Sequence, residues 1–211
     1  MPLQVGLQMS VNFAEYGCYL YYLFFKVQPF LQARAFYLLI LTGPFMGLHL
    51  RKKQAMPIQT GQQAPDFTLR DNEKNKVTLS EQRGKNVVLL FFPLAFTSTC
   101  TKELCYMRDN LNMFNNLNAQ VYGISVDSLF SLNKFKEEQH LNFPLLSDFN
   151  KVASAAYDCL YEHFFNDMDG VSKRASFVID KGGIVRYAEV LENASDLPNF
   201  KAIEDTLNSL N

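Results

Sequence analysis

Four cysteines are the side chains of this chain best suited to covalent chemistry: Cys18, Cys100, Cys105 and Cys159. No two of them form a CxxC pair, so their spacing excludes a zinc ribbon and the standard dithiol redox motif. The three histidines are scattered without the spacing of metal ligands, and we therefore expect no metal site. Cys100 stands out among the cysteines because of the elements on either side of it.

Cys100 lies at a predicted junction between a strand and a helix. Residues 87 to 92 form a continuous apolar run, as expected of a strand buried on both faces, and Pro93 ends it because proline cannot donate to a central ladder. After Cys100, apolar residues recur every three or four positions, which predicts an amphipathic helix with a stripe of Leu104, Met107, Leu111, Phe114 and Leu117. Cys100 would then occupy the first helical turn, where unpaired amide groups and the positive dipole end stabilise a thiolate.

A thiolate at such a position can attack the O–O bond of a peroxide, whereas a neutral thiol barely reacts. Thr97 lies three residues upstream, so its hydroxyl can point into the same space as the sulfur. On these residues alone an alternative stays open, in which Cys100 is a buried inert cysteine and Thr97 is a helix cap.

The remaining pattern alternates short apolar runs with helical periodicity, which indicates an α/β fold. Predicted strands cover 65–69, 77–79, 120–126, 143–146, 176–180 and 184–190, and predicted helices cover 128–139, 151–157 and 196–210, the last with Pro198 in its first turn. The last two strands flank Lys181-Gly182-Gly183, which predicts an antiparallel hairpin because glycine accepts the positive φ of a tight turn.

The chain divides into a basic, apolar N-terminal extension, residues 1–55, and one domain, residues 56–211. Its 211 residues suffice for one well-filled core, and a net charge of −1 gives no reason to expect a nucleic-acid partner. The uncharged runs of the extension are shorter than the roughly 18 apolar residues of a spanning helix. It is interpreted as a membrane-associated leader, an appendage, or an upstream extension outside the working protein with Met56 as the natural start.

Pro93, Thr97 and Cys100 together form the pattern PxxxTxxC, and with it the domain resembles the peroxiredoxin family. Residues 61–67 (GQQAPDF) look like the family's opening segment, and residues 174–180 (RASFVID) look like a later strand. Residues 100–105 and 107–109 look most like the alkyl hydroperoxide reductase E and bacterioferritin-comigratory subgroups. The resemblance implies a thioredoxin fold with peroxiredoxin-type insertions, in which a central mixed sheet is flanked by helices.

The resemblance also implies roles for individual residues. Cys100 would be the peroxidatic cysteine, and Thr97 would hydrogen-bond the thiolate and the peroxide. Arg174 would hold a permanent positive charge near the sulfur, which favours the thiolate and the departing oxygen. Pro93 would shape the pocket and exclude water. Glu103 is open to two interpretations, as support for the site or as a surface residue of the helix.

The implied reaction reduces hydrogen peroxide or an organic hydroperoxide through a sulfenic acid on Cys100, with no cofactor. A second thiol would then form a disulfide, and a thioredoxin-like protein or a small thiol would reduce it. Cys105 is the favoured second thiol, and Cys159, a partner subunit's cysteine or an external thiol are the alternatives. Two helical residues five apart have Cα atoms about 8–9 Å apart, beyond the limit of about 7 Å for a disulfide. The helix start would therefore have to unwind.

Two other functions begin from related chemistry. A redox sensor would pass the same sulfenic acid to a partner protein, and only catalytic turnover separates it from a peroxidase. A dithiol oxidoreductase is disfavoured, because Thr97 stands where the first cysteine of CxxC would be. The low cysteine content indicates a reducing compartment such as the cytoplasm. A homodimer is left open by the sequence, as is membrane contact through residues 1–55.

Overall fold

The computed structural model describes residues 58 to 210. The predicted extension 1–55, with Cys18 and His49, lies outside the described residues, as does the start of the domain at Met56. Within the described range no helix is both long enough and apolar enough to span a membrane.

The described residues form one seven-stranded mixed sheet. Its strands are β1 (Thr68–Asp71), β2 (Lys76–Thr78), β3 (Asn86–Phe91), β4 (Ala119–Ser125), β5 (Leu145–Ser147), β6 (Arg174–Ile179) and β7 (Val185–Leu191). They lie in the order β2-β1-β5-β4-β3-β6-β7, with β3, β4 and β5 parallel and every other pair antiparallel. The mixed α/β sheet predicted from the sequence is confirmed.

Four α-helices flank this sheet: α1 (Ser98–Asn116), α2 (Leu129–Glu138), α3 (Val152–Ala156) and α4 (Phe200–Ser209). Two 3₁₀ turns, Leu79–Gln82 and Phe165–Asp167, complete the helical elements of this range. The predicted apolar stripe of α1 is buried from Leu104 to Phe114, and Leu117 caps its C-terminal end half-buried. The stripe faces the sheet because burying it removes the helix's apolar surface from water.

The sheet separates two apolar cores. Alternate residues of β3 point to opposite faces, so Val88 and Leu90 enter one core while Val87 and Leu89 enter the other. Helices α1, α2 and α4 cover the first core, and α3 with the segment before β1 covers the second. Every residue of β3 is buried, as the continuous apolar run predicted.

Several predicted boundaries were wrong. The first strand begins at Thr68 rather than at Pro65, and the strand predicted at 143–146 covers Leu145–Ser147. The last helix begins at Phe200 rather than at Asp196, because residues 193–196 close a turn around the side chain of Asn193. Pro198 therefore precedes the helix instead of lying in its first turn.

Candidate active site

Cys100 is the third residue of α1 and is 1% exposed. The helix begins at Ser98, seven residues after the carboxyl end of the central strand β3, and Cys100 lies in its first turn as predicted. The Thr101 amide donates to the Thr97 carbonyl at 2.9 Å, which starts the helical hydrogen-bond pattern just after Cys100. The sulfur thus lies beside the first-turn amide groups, at the positive end of the helix dipole.

The loop between β3 and α1 holds two of the expected site residues. Pro93 is buried two residues after the end of β3. Thr97 occupies the cap position of α1 and is exposed, and its hydroxyl donates to the Leu94 carbonyl at 2.9 Å. Since a hydroxyl carries one proton, this bond occupies the donor that was expected to face the sulfur. In this structure Thr97 therefore contacts its own loop, and the sulfur receives a hydrogen bond from another residue.

That residue is Arg174, whose Nη2 donates to Cys100 Sγ at 3.4 Å. Arg174 opens β6, which pairs with β3, the strand that leads to Cys100. The same Nη2 donates to the Ala194 carbonyl at 2.9 Å, and Nη1 forms an ion pair with Glu103. The guanidinium is completely buried, so water screens its charge little at the sulfur.

Burial raises the pKa of Glu103 to about 7, although the Arg174 guanidinium acts in the opposite direction. Burial tends to lower the pKa of Arg174, but Glu103 and Cys100 outweigh it and the pKa is raised. Arg174 therefore keeps its proton. A fixed cation at hydrogen-bond distance favours a negative charge on sulfur over a neutral thiol.

Glu103 belongs to the site and not to the surface of the helix, because its side chain is fully buried against Arg174. The helical spacing of three from Cys100 places both side chains on one face, which was the only sequence signal for this contact. The Ala194 carbonyl, in the loop between β7 and α4, had no signal in the sequence. A backbone acceptor is offered by every residue type, so the fold alone identifies this one.

The two other described cysteines lie in different surroundings. Cys105 is half-buried on α1, and its thiol donates to Gln139 Oε1 at 3.8 Å. Cys159 is buried in the second core, across the sheet from Cys100, and burial raises the pKa of its thiol. Of these two thiols, Cys105 alone shares an element with Cys100.

Among residues 58 to 210, no group of three or more histidine, cysteine or acidic side chains converges to hold a metal ion. His163 pairs with Asp169 at the surface, and His140 ends the turn after α2.

Comparison with known proteins gives a match of residues 60–188 to the model of the AhpC/TSA family. Alkyl hydroperoxide reductase E of Mycobacterium tuberculosis is 43% identical over 136 residues, which cover 63% of this chain and 86% of that protein. The mitochondrial thioredoxin-dependent peroxide reductase of Drosophila melanogaster is 36% identical over 160 residues, covering 71% and 64% respectively. The crystal structure of peroxidoxin BcpB from Mycobacterium tuberculosis superimposes with a TM-score of 0.65 at 31% identity, covering 73% of this chain and 99% of that one.

Proposed function

This chain belongs to the AhpC/TSA family and is a thiol-dependent peroxidase, and from that premise we propose that Cys100 is the attacking thiolate and Arg174 its electrostatic partner. The observation that carries the assignment is the hydrogen bond from Arg174 Nη2 to Cys100 Sγ. It supplies a fixed positive charge to a nucleophile that reacts only as the thiolate.

In the first step the sulfur of Cys100 donates an electron pair to one oxygen of the peroxide. An S–O bond forms, the O–O bond breaks, and the second oxygen leaves as water or alcohol after taking up a proton. Negative charge moves from sulfur to the departing oxygen during this step. Arg174 and the first-turn amides of α1 stabilise that charge from fixed positions, so little reorganisation is needed. Pro93 limits the access of water.

The substrates proposed are hydrogen peroxide and organic hydroperoxides, and the proposed reductant is a thioredoxin-like protein or a small thiol. The names of the relatives support both classes, one as an alkyl hydroperoxide reductase and one as a thioredoxin-dependent enzyme. Turnover tests the proposal directly. With excess dithiol reductant, the protein should consume many equivalents of peroxide per Cys100, whereas consumption that stops at one equivalent would indicate a redox sensor.

Cys105 is proposed as the thiol that condenses with the sulfenic acid of Cys100. Both residues lie on α1, and five helical residues place their Cα atoms about 8–9 Å apart with side chains about 140° apart around the axis. The first turns must therefore open before the S–S bond forms. Opening costs the least free energy at a helix end, where the fewest hydrogen bonds hold the turn.

Replacing Cys105 by serine should leave the first reaction with peroxide intact and abolish thioredoxin-driven turnover. Peptide mapping of the oxidised protein should show a link between Cys100 and Cys105 that is absent from the Cys105→Ser variant. The matched control is Cys159→Ser, which lies across the sheet and should retain both the link and the turnover. A stable Cys100 sulfenic acid in the unmutated protein, with no internal disulfide, would remove Cys105 from the cycle in favour of an external thiol.

Residues 56–211 are proposed to be sufficient for the chemistry, since every residue of the candidate site lies within them. A chain beginning at Met56 should fold and consume peroxide with the same kcat/KM as the full chain. Loss of folding or activity in the shorter chain would show that residues 1–55 contribute to the working domain. Vesicle flotation of both chains would show whether the extension binds membranes.

A further inference from the structure

The loop that carries Pro93 and Thr97 to the active-site helix is conformationally strained. Phe96 has a φ of +65°, the left-handed region that a bulky side chain seldom adopts, and it is 51% exposed. Such a conformation persists only where surrounding contacts fix it, and it recurs at sites where the backbone must be held in one geometry. The contacts that hold this loop therefore fix the backbone that leads into α1.

Asp127, which follows β4, binds the backbone of this loop. Its Oδ2 accepts a hydrogen bond from the Ala95 amide at 2.8 Å, immediately before the strained residue. The Phe96 ring packs edge-on against Phe135 of α2, with 5.0 Å between ring centroids. One side chain thus fixes the backbone of the loop and another fixes its aromatic ring.

Asp127 is itself held in place by neighbouring strands. Ser125, the last residue of β4, donates its hydroxyl to the same Oδ2 at 2.8 Å and accepts the Asp127 amide at 3.1 Å. Ser147, the last residue of β5, donates to the Asp127 carbonyl at 2.7 Å. The ends of two parallel strands therefore hold Asp127: Ser125 binds its carboxylate and its amide, and Ser147 binds its backbone carbonyl.

We propose that Asp127 is a positioning residue of the peroxidase site, which holds the Pro93–Thr97 loop so that the first turn of α1 presents its donors to the peroxide. The proposal rests on the proposed function of Cys100. Asp127 acts through the loop and makes no contact with the sulfur. Its effect should therefore be on the geometry of attack and not on the ionisation of the thiol.

Two reagents separate these effects in the full-length chain. Reduction of hydrogen peroxide requires both the thiolate and correctly placed donors, whereas alkylation by iodoacetamide requires the thiolate but no such donors. Asp127→Ala should slow peroxide reduction by about 10- to 100-fold, the scale of a misplaced catalytic geometry. Alkylation of Cys100 should proceed at the unmutated rate or faster.

Asp127→Asn should restore peroxide reduction to near the unmutated rate, because the amide oxygen still accepts from Ala95 and Ser125. Asp205→Ala, which removes an exposed carboxylate of α4, is the matched control and should change neither reaction. Ser125→Ala keeps both Asp127 and the loop intact, so it tests the same support if Asp127→Ala fails to fold. It should slow peroxide reduction by about two- to tenfold, the effect of one lost hydrogen bond.

Three results would overturn the proposal: an unmutated peroxide rate in Asp127→Ala, an equal loss with both reagents, or a loss in Asp127→Asn as large as in Asp127→Ala. Where Asp127→Ala does not fold, an unmutated peroxide rate in Ser125→Ala would overturn it as well. Failure of the proposed function is distinguishable from all of these. In that case the unmutated protein itself would fail to reduce peroxide at Cys100.

Discussion

Replacing Cys100 by serine should abolish peroxide consumption while leaving the fold intact. The substitution exchanges one small side-chain atom at a buried position, so the packing around α1 changes little. A serine hydroxyl beside Arg174 remains protonated at neutral pH and cannot form a stable adduct with the peroxide oxygen. Peroxide consumption with excess reductant, measured beside circular dichroism and thermal melting, should show a folded protein with no activity above background.

Cys105→Ser provides the comparison that assigns the loss to the first step. In a single-turnover experiment without reductant, Cys105→Ser should consume one equivalent of peroxide and form sulfenic acid, and Cys100→Ser should consume none. Mass spectrometry identifies the oxidised residue directly. Turnover near the unmutated rate in Cys100→Ser would show that another cysteine attacks the peroxide, and the proposed site would be wrong.

Replacing Arg174 by alanine should slow the attack on peroxide by about 10²- to 10³-fold, the usual effect of losing one donor that stabilises developing charge. The variant loses the hydrogen bond and the fixed positive charge that Arg174 supplies to the sulfur. Stopped-flow measurement of sulfenic acid formation on Cys100 should therefore give a lower second-order rate constant than in the unmutated protein.

The buried ion pair with Glu103 requires a second variant. Arg174→Ala removes the partner of a buried carboxyl group whose pKa is already raised to about 7, so Glu103 should take up a proton at neutral pH. Breaking a buried ion pair in this way costs up to about 3–5 kcal/mol of folding free energy. The double variant Arg174→Ala with Glu103→Gln removes both charges, so it should melt at a higher temperature than Arg174→Ala while remaining as slow. Arg174→Lys, which keeps the charge, should recover part of the rate. An unchanged rate in a folded Arg174→Ala protein would exclude Arg174 from the site.

The sequence by itself determined the part of the site that is local in the chain. A continuous apolar run, a proline and an apolar stripe of helical period fix a strand, its end and the following helix, and Cys100 falls in the first turn. These elements can be predicted because each signal depends only on residues that lie close together in the sequence. The hairpin of β6 and β7 was determined in the same way by Gly182 and Gly183, and the structure confirms it.

Resemblance to a family, and not the local pattern, pointed to Arg174. The sequence shows an arginine at the start of a strand, 74 positions after Cys100, and such an arginine is ordinarily solvated. The pairing of β6 with β3 brings it to the sulfur, and strand order is not encoded in periodicity. The helical pattern likewise did not decide whether Glu103 supports the site or lies on the surface. A glutamate on a helix is buried only where a cation from another element lies opposite it.

Only the tertiary structure showed what holds the site together. The Ala194 carbonyl accepts a hydrogen bond from Arg174, and the Asp127 carboxylate accepts one from the active-site loop. Both acceptors lie in segments with no recognisable sequence pattern. The hydroxyl of Thr97 turns to the Leu94 carbonyl because the strained loop places that acceptor within reach. Hydrogen bonds of this kind depend on angstrom-scale distances between segments far apart in sequence. Those distances are set by the packing of the whole sheet and its helices, which no local window of residues contains.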